Sequence, residues 1–415
     1  MKILILTNYF PPEIGGAAHL FYELAASLVQ RGHQVTIVTG FPRYNVHTVV
    51  RQNNGIFFSQ ENLEGINLFR VRTIPLPHKS KVCRGLDHFG VAAIFALGGL
   101  FIGPYDVLLV YSPPLPLGLA AFFLSKIRGV PFVVNIQDLF PKEAVDLGLL
   151  TNRTLIRSFE ALERFIYRQA DHITVHSPGN LDYVVNRGAT SKKVTVAFNW
   201  VDTDRIFPGD YHNEFARKHN LDGRFVISYA GTMGWCQDMG IIVSTAELLK
   251  DYQEILFLLV GDGVEKQKAQ NYGNKLKLSN IKWLPMQSWE VYPQILAASK
   301  VSMINLNANL LTPVVPSKLL NIMAAGRPVV ASLPLNGDAP RIIRDAQAGL
   351  CVPPNDPEGL AAAIMRFYRD RCFCEECGQN GRAYAEAHFS RSVGIDHYEQ
   401  VFTQLCAAQG TSKRK

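Results

Sequence analysis

Several signals that would indicate other kinds of protein are missing from this sequence. No Cys/His spacing of the zinc-finger type and no paired aromatic RNP motif occurs, so nucleic acid is not expected as a partner. The first loop has no G-x-G-x-x-G pattern, which argues against a nicotinamide or flavin site. The uncharged stretch at residues 89–102 has fourteen residues, fewer than the about twenty that a membrane-spanning helix needs.

Two further absences concern the cell compartment and metals. Met1-Lys2 leads directly into a strand pattern without a cleavage site, and the cysteine count is seven, so we expect a reducing, cytoplasmic environment. Cys372, Cys374 and Cys377 form a tight C-x-C-x2-C, but no second Cys or His pair has matching spacing. The sequence therefore favours ordinary helix cysteines over a structural metal.

The composition describes a large, ordered, basic protein. The 415 residues are 47% hydrophobic and 19% charged, and this length predicts two domains of roughly 200 residues. The net charge of +7, with a pI near 9.0, suits anionic partners such as nucleotides or phospholipid surfaces.

The first half begins with a strand, a Pro- and Gly-rich loop, a helix at 18–31 and a strand at 34–40. This order predicts a parallel α/β sheet. The loop contains Glu13 and the pair Gly15-Gly16, which would let a ligand approach the backbone closely. A plain tight turn is the alternative.

Asp138 follows the strand predicted at 131–136. Ligands in open α/β sheets bind at the carboxyl ends of strands, so Asp138 is a candidate for chemistry. A turn or helix-capping role is the alternative for an aspartate two residues before the Phe140-Pro141 pair.

The second half repeats the pattern of strand, glycine loop and helix. Gly231-Thr232 follows the strand at 225–230, and Gly261, Asp262 and Gly263 follow the strand at 255–260. Glycines at these points can bring backbone amides to a phosphate. We therefore expect a second doubly wound domain with a nucleotide site.

Residues 312–332 read as loop, helix, breaker and strand. Ser317 is a candidate N-cap, Lys318 adds a cation to the first helical turn, and Gly326 is placed for a left-handed C-terminal residue. A cation there opposes the helix dipole, which an anion bound at the helix start would explain. A lysine directed to solvent is the alternative. Asn321, one turn later, is a candidate partner for a ribose hydroxyl.

Residues 78–84 are basic and precede the uncharged stretch 89–102. A core helix and a helix lying in the membrane interface are both compatible with this pattern. In the second case the basic residues would direct segment 78–102 to anionic lipid.

The breaker-rich segment 199–210 predicts the linker between the domains. We assign residues 1–200 to an N-terminal domain and 201–390 to a C-terminal domain. Residues 391–415 are expected to form a helix that returns to the first domain, followed by a disordered basic tail.

Together these motifs resemble the glycosyltransferases of family 4, whose two Rossmann-like domains face each other across a cleft in the GT-B fold. The resemblance covers residues 2 to about 400, and the closest subgroup is the bacterial O-antigen and capsule transferases of the N-acetyl-fucosamine type. The motifs that carry it, besides 137–143 and 316–321, are Asn8–Gly16, Asn199-x-x-Asp202 with Phe207-Pro208, Gly231-Thr232, Val260–Gly263, Ser317-Lys318 with Asn321 to Val330, and Val352–Pro357.

The sequence departs from the family pattern at two places. The usual Glu-x7-Glu would fall at 313 and 321, where Pro313 and Asn321 stand. The usual Arg/Lys pair of the first C-domain loop is also missing, and Thr232 and Gln237 are near those positions. Lys318 is left as the main candidate for balancing the diphosphate charge.

The resemblance implies a retaining transfer of a sugar from a UDP-sugar to a lipid-linked saccharide in surface polysaccharide synthesis. The subgroup resembled implies that this sugar is N-acetylated. It implies no cofactor and no metal, and a position at the inner face of the plasma membrane. Lys318 would stabilise the leaving diphosphate, Asp138 would orient the sugar or acceptor, and Glu13, Gly15 and Gly16 would contact the acceptor. The nucleotide-sugar contacts would be Gly231, Thr232, Gln237, Gly261, Asp262, Gly263, Pro285, Ser317, Lys318 and Asn321. A nucleotide-sugar epimerase of the same fold and a non-catalytic nucleotide-sugar binding protein are the alternatives.

Overall fold

The computed structural model describes residues 1–13, 15–42, 57–73, 81–146, 148–308 and 315–412, without the side chains of 81–86 and 411–412. The chain divides into two compact units. Unit 1 comprises Met1–Phe198 with Gly394–Lys415, and unit 2 comprises Asn199–Val393.

Strands and helices alternate through both units. The strands are β1 Lys2–Leu6, β2 Gln34–Gly40, β3 Phe58–Leu63, β4 Ile66–Val71, β5 Val107–Ser112, β6 Phe132–Ile136, β7 His172–Val175, β8 Val194–Val196, β9 Phe225–Ala230, β10 Ile255–Val260, β11 Ile281–Leu284, β12 Val301–Asn305, β13 Val329–Ser332 and β14 Gly349–Val352.

The helices lie between these strands and after the last one. They are α1 Gly16–Gln30, α2 Lys81–Leu100, α3 Leu117–Arg128, α4 Lys142–Asp146, α5 Arg153–Gln169, α6 Pro178–Asn186, α7 Glu214–Lys218, α8 Met239–Leu248, α9 Lys266–Lys275, α10 Tyr292–Ala297, α11 Ser317–Ala324, α12 Asp338–Asp345, α13 Pro357–Arg369, α14 Arg371–His388 and α15 Arg391–Ser412.

Unit 1 contains an eight-stranded sheet in the order β3-β4-β2-β1-β5-β6-β7-β8. All neighbouring pairs are parallel except β3 and β4, which form an antiparallel hairpin at the edge. The central strands are buried on both faces, because helices cover parallel sheets. The predicted α/β class is confirmed.

Unit 2 contains a six-stranded parallel sheet in the order β11-β10-β9-β12-β13-β14. The chain order reverses direction at β9, which lies between β10 and β12. In doubly wound sheets the loops at such a reversal diverge and leave room for a ligand at the carboxyl edge. The second doubly wound domain expected from the sequence is therefore present.

Helix α15 packs on unit 1 although it follows unit 2 in the chain. Tyr398 accepts a 2.7 Å hydrogen bond from the Asn135 amide of β6, and both side chains are buried. Glu399 accepts a 2.6 Å bond from Arg31, next to the end of α1. These contacts fix α15 against the central strands of the sheet. The last three residues of the chain, where we expected a disordered tail, lie outside the described residues.

Candidate functional site

Loops from neighbouring strands meet at the carboxyl edge of the unit 2 sheet. Gly231 follows β9, Gly261 follows β10, Pro285 follows β11, and α11 begins after β12. Because β11, β10, β9 and β12 are adjacent in the sheet, these loops are adjacent in space. The edge therefore gathers the glycine loops and the Lys318 turn that the sequence singled out.

Lys318 lies directly against Gly231. A Cβ atom added at Gly231 would be 2.5 Å from Cε of Lys318 and 3.2 Å from its Nζ. The backbone φ of Gly231 is +133°, a conformation that residues with side chains rarely adopt. Glycine at 231 is thus needed both for the backbone conformation and for the room that the lysine side chain occupies.

The glycines of the second loop allow the two loops to interlock. A Cβ at Gly261 would be 1.9 Å from the Gly231 oxygen, and one at Gly263 would be 2.2 Å from the Met233 oxygen. The backbone N–H of Met233 donates to the backbone carbonyl oxygen of Asp262 at 2.9 Å. Any larger residue at 261 or 263 would force the loops apart.

Lys318 is a half-buried cation without an acidic partner. Its Nζ lies 5.1 Å from the ring centroid of Tyr229, and within the described residues no carboxylate lies within 4 Å of it. Burial lowers the pKa of the ammonium to about 8. A bound anion would restore the stabilisation that the ammonium loses when water is removed.

The start of α11 differs from our expectation. Pro316, in an extended conformation, is the N-cap residue, and Ser317 is the first residue of the helix and exposed. The predicted Ser317 cap is therefore wrong: among the described residues no side chain caps this helix start. Leu319 donates its N–H to the Pro316 carbonyl oxygen at 2.9 Å, which leaves the N–H groups of Ser317 and Lys318 for a ligand. Gly326 has φ +63° after the helix end, which confirms the predicted left-handed residue.

Thr232 and Gln237 have different surroundings. Thr232 is exposed, and its carbonyl oxygen accepts a hydrogen bond from the Tyr229 hydroxyl. The Gln237 side-chain oxygen accepts the Gly234 N–H at 2.9 Å, which holds the loop after β9 in shape.

The next loops bring Asp262 and Pro285 to the same edge, both exposed. The Asp262 carboxylate accepts a 3.2 Å bond from Lys266. The Asn321 side chain hydrogen-bonds the Tyr292 hydroxyl of α10. Part of the hydrogen-bonding capacity of the Asn321 side chain is therefore already taken by Tyr292.

Sequence reasoning missed two features of this edge. Lys266, in the first turn of α9, donates to the oxygens of Gly261 at 2.7 Å and Leu284 at 3.3 Å, so a second ammonium lies at the glycine loops. Its signal was available, because Lys266 and Lys318 are the first and second residues of their helices. Trp289, which is exposed, stacks on Tyr292 with ring centroids 5.3 Å apart and offers a flat apolar surface.

In unit 1 the carboxyl edge carries a second group of polar side chains. Asp138 follows β6, Tyr111 is on β5, and Tyr9 follows β1, and these three strands are neighbours. The Tyr9 and Tyr111 ring centroids are 6.0 Å apart. Loss of hydration raises the pKa of Asp138. The charge of Asp138 in turn raises the pKa of Tyr111, although burial of the ring contributes more.

Glu143 belongs to the same group and was not singled out from the sequence. Burial raises the pKa of its carboxyl to about 7, and the negative charges of Asp138 and Asp146 add to the effect. A carboxyl that titrates near neutrality can hold or release a proton under working conditions. The short segment after β6 therefore presents two carboxyls whose charges are coupled.

Glu13, Gly15 and Gly16 lie in the loop after β1. Glu13 is buried beside Arg70, whose side chain donates to the Pro11 oxygen at 2.6 Å. Among the described residues, no atom lies within 4 Å of a Cβ added at Gly15 or Gly16, and Gly16 is the first residue of α1. In the part of the chain that the structure describes, open space therefore adjoins this helix start.

Helices α2 and α3 expose an apolar surface on unit 1. The stretch 89–102 is helical as far as Leu100, and its Val91, Ala92 and Phe95 are buried in the core, so the core-helix interpretation holds for one face. The opposite face is exposed. The exposed apolar residues of α2, its C-terminal end and α3, which we call the α2–α3 surface, are Phe89, Leu97, Leu100, Phe101, Phe123 and Ile127.

The α2–α3 surface is continuous at the ends of its two helices. Arg128 of α3 donates to the Leu100 oxygen at 2.7 Å and to the Ile102 oxygen at 3.0 Å. Phe101 and Ile127 beside it are 80% and 64% exposed. Lys126 and Arg128 give its margin positive charge. The basic flank was assigned to residues 78–84; residues 78–80 and the side chains at 81–84 lie outside the described part of the chain.

Within the described part of the chain, no helix is long and apolar enough to cross a membrane. Nor are three or more His, Cys, Asp or Glu side chains grouped as a metal site would require in the described ranges. Cys374 and Cys377 of the C-x-C-x2-C pattern are buried on α14 in the core of unit 2.

Comparison with protein families decides the classification. Residues 15–200 match the glycosyl transferase 4-like domain, and residues 212–384 match the glycosyl transferases group 1 domain. The chain belongs to the family 4-type glycosyltransferases with the GT-B fold. The two matches together cover most of both units.

Two similar proteins are named as glycosyltransferases, one of them for colanic acid biosynthesis. The chain is 24% identical over 376 residues to the putative colanic acid biosynthesis glycosyl transferase WcaI of Escherichia coli K12, covering 88% of this chain and 92% of that protein. It is 25% identical over 299 residues to the probable glycosyltransferase WbjE of Pseudomonas aeruginosa, covering 71% and 73%. The family match, supported by these relatives, shows that the chain is a glycosyltransferase.

Solved structures share the fold over nearly the whole chain. Sucrose-phosphate synthase of Thermosynechococcus elongatus superposes with a TM-score of 0.75 at 18% identity, covering 98% of this chain and 99% of that one. HepE of Anabaena, solved in complex with UDP, gives 0.74 at 17% identity, covering 97% and 100%. At these identities the likeness shows the fold of the transferase and not its substrates.

Proposed function

We propose that this glycosyltransferase moves a sugar from a UDP-sugar to a lipid-linked saccharide with retention of configuration. The sugar would be N-acetylated, as in the subgroup that the sequence resembles. The observation that carries the proposal is the contact of Lys318 with Gly231 at an uncapped helix start. A cation, free N–H groups and glycine loops together suit a diphosphate. The HepE complexes with UDP and with UDP-glucose support a nucleotide-sugar donor by analogy.

The Lys318 ammonium and the N–H groups at the start of α11 would stabilise the charge that develops on the leaving diphosphate. The oxocarbenium-like sugar would then react on the face from which the diphosphate leaves, without a protein nucleophile. We assign Gly231, Gly261 and Gly263 to the close approach of backbone amides. Trp289 offers the nucleotide base a flat apolar surface. We assign no role in the transfer to a metal ion.

Asp138 is assigned to orienting the sugar or the acceptor, and Glu143 beside it extends this role. Both carboxyls lie at the edge of the unit 1 sheet where ligands of such sheets bind. The open space at Gly15 and Gly16 supports an acceptor contact at the start of α1. Glu13, held beside Arg70, would shape this loop or contact the acceptor.

A lipid-linked acceptor would explain why the α2–α3 surface is both apolar and exposed. Exposed apolar side chains with Lys126 and Arg128 at their margin suit an anionic bilayer interface. We therefore propose that the protein works at the inner face of the plasma membrane, bound peripherally.

The donor is tested with a thermal-shift panel of nucleotide sugars on the wild type, Lys318→Ala and Lys268→Ala. Lys268, on α9, is a highly exposed lysine, so its variant controls for the loss of one charge. We expect one UDP-sugar to stabilise the wild type and Lys268→Ala, and Lys318→Ala to lose most of the shift. No shift with any UDP-sugar, or an undiminished shift in Lys318→Ala, would contradict the proposal.

Product analysis then separates the remaining alternatives. Transfer requires both donor and acceptor lipid, so a changed sugar formed from the donor alone would indicate an epimerase. Donor binding without transfer or hydrolysis would indicate a binding protein. We expect a new glycosidic product only when donor and acceptor are both present.

A further inference from the structure

Unit 1 has a cavity of about 380 Å³ beside its edge hairpin, where β2 and β4 begin. We call it the hairpin pocket; its lining side chains include Thr36, Gln60, Asn62, Asn67 and Phe101. Asp138 follows β6, which is three strands away from β2 in the sheet. This places it about 14 Å from β2 across the sheet, and Thr36 lies about 13 Å before the end of β2. The hairpin pocket is therefore separate from the polar group around Asp138.

Three polar side chains form a row across the strands of the hairpin pocket. Thr36 of β2 pairs with Asn67 of β4, and Asn67 pairs with Asn62 of β3. Because paired residues of neighbouring strands point to the same face of a sheet, one hydroxyl and two amides stand side by side. Gln60, two residues before Asn62 on β3, points to this face as well. We call Thr36, Asn67 and Asn62 the polar row.

Helix α2 covers the same face of the sheet, but only up to the polar row. A Cβ added at Gly98 would be 2.9 Å from Val71 and 3.5 Å from Val38, which lie further along the strands of the row. The helix ends one residue before Phe101, and this side chain is 80% exposed and lines the hairpin pocket. In the described part of the chain, an open aromatic ring thus borders a row of hydrogen-bonding groups.

The polar side chains of the pocket have hydrogen-bonding capacity left. The Asn62 side-chain oxygen accepts the Gly65 N–H at 3.0 Å, which leaves the Asn62 NH2 group for a ligand. The side chains of Thr36, Gln60 and Asn67 form no hydrogen bond to another described residue. An amide group carries both donors and acceptors, and a hydroxyl does so too. The row can therefore match a ligand that is rich in hydroxyl groups.

The charges of the hairpin pocket do not suit an ionic ligand. No Lys, Arg or His of the described ranges lines it. Its carboxylate, Glu61, is already paired: it lies 3.3 Å from Arg70 Nε and accepts a 3.0 Å hydrogen bond from the Ser59 hydroxyl. A phosphate would find no cation here, so a neutral ligand is favoured.

We propose that the hairpin pocket binds a neutral saccharide, at a site distinct from the one where the sugar is transferred. Hydroxyl groups of the saccharide would bond to the polar row and Gln60, and the apolar face of one sugar ring would lie on Phe101. The volume is within the range of small-molecule sites. None of the residues assigned to sugar transfer lines the pocket, so this inference does not rest on the proposed donor or acceptor.

The test measures saccharide affinity of the full chain by ligand-observed NMR, with cellobiose and N,N′-diacetylchitobiose as probes. Asn67→Ala and Phe101→Ala are the main variants, because both side chains are exposed and their removal leaves the core intact. Phe57→Ala is the matched control for Phe101→Ala, since Phe57 is 79% exposed and does not line the pocket. Asp138→Asn reports on saccharide binding at the proposed acceptor site.

We expect Asn67→Ala and Phe101→Ala each to weaken binding about fivefold or more, because each removes a hydrogen bond or the surface on which a sugar ring lies. Phe57→Ala should change the affinity less than about twofold. Equal weakening by Phe57→Ala and Phe101→Ala would overturn the proposal. Weakening by Asp138→Asn and by neither pocket variant would do so too, because the saccharide would then bind at the acceptor site alone.

A second arm identifies the source of the saccharide, because Phe101 also belongs to the α2–α3 surface. Sedimentation is compared between phosphatidylcholine vesicles with and without galactosyl diacylglycerol. An increase that Asn67→Ala abolishes would indicate a lipid head group, and binding of the free disaccharides without such an increase would indicate a free chain. If neither disaccharide binds at about 10 mM and the glycolipid adds nothing, the proposal is wrong. The donor panel is a separate measurement, so the two proposals fail independently.

Discussion

Gly231 and Lys318 share one space at the carboxyl edge of the unit 2 sheet, since a Cβ at 231 would be 2.5 Å from Cε of the lysine. The lysine side chain thus takes the place of the side chain that residue 231 lacks. This relation connects the loop after β9 to the start of α11, which are more than eighty residues apart in the sequence.

Gly231→Ala should therefore weaken donor binding by displacing the Lys318 ammonium. We expect a loss of about tenfold in affinity for the UDP-sugar, and the same change should have little effect in a Lys318→Ala background. The measurement is a double-mutant cycle of donor affinity. Additive effects of the two substitutions would mean that Gly231 acts through its backbone alone.

The pKa of Lys318, lowered to about 8, predicts that donor affinity depends on pH. The protonated lysine binds the diphosphate, so affinity is greatest below pH 8 and falls as the pH rises through this value. From pH 7 to pH 9 the protonated fraction falls about tenfold, and the affinity should fall with it. Lys318→Ala should bind weakly and with no such slope. A wild type that binds equally at both pH values would contradict this role for the ammonium.

The interlocked glycines predict different results for two Gly→Ala changes. Gly261→Ala places a Cβ 1.9 Å from the Gly231 oxygen, which is backbone and cannot move easily, so we expect a loss of about 3 kcal/mol in unfolding free energy. The Cβ of Gly16→Ala meets no atom of the described residues within 4 Å, so the substitution should leave stability unchanged or slightly improved. Both are measured by denaturant unfolding.

The same Gly16→Ala variant also tests the proposed acceptor contact. If the acceptor approaches the start of α1, the added methyl group should raise the KM for the acceptor and leave donor affinity unchanged. An unchanged KM would remove Gly16 from the acceptor site, and equal stabilities of the two alanine variants would contradict the interlocking of the loops.

Local sequence patterns were sufficient for the glycine loops and for Lys318. The strand, glycine and helix order is local, and a lysine in a first helical turn is visible without a structure. The Ser317 cap was wrong because side-chain preference favours serine, whereas the extended backbone of Pro316 occupies the capping position.

Features that depend on distant contacts could not be predicted in this way. The Tyr292–Asn321 hydrogen bond joins α10 to α11 across a distance of almost thirty residues in the chain. Lys266 was not singled out from the sequence. Its bonds to the Gly261 and Leu284 oxygens appear only once the strands are adjacent.

The α2–α3 surface predicts membrane binding that depends on a few exposed side chains. Leu97, 59% exposed on α2, and Ile127 on α3 should enter the interface, so Leu97→Glu with Ile127→Glu adds two charges where apolar groups are needed. We expect sedimentation with anionic phospholipid vesicles to fall at least tenfold. The fold should persist, because both side chains already face solvent.

Leu248→Glu is the matched control, because Leu248 is an exposed leucine of unit 2, 47% accessible and distant in sequence from α2 and α3. It should sediment like the wild type. Neutral vesicles separate the apolar contribution to membrane binding from the electrostatic one. Lys126→Glu with Arg128→Glu should reduce binding to anionic vesicles and leave the weaker binding to neutral vesicles unchanged. If the apolar substitutions do not reduce sedimentation, α2 and α3 are not the membrane contact, and a lipid-linked acceptor would have to be reached through another surface.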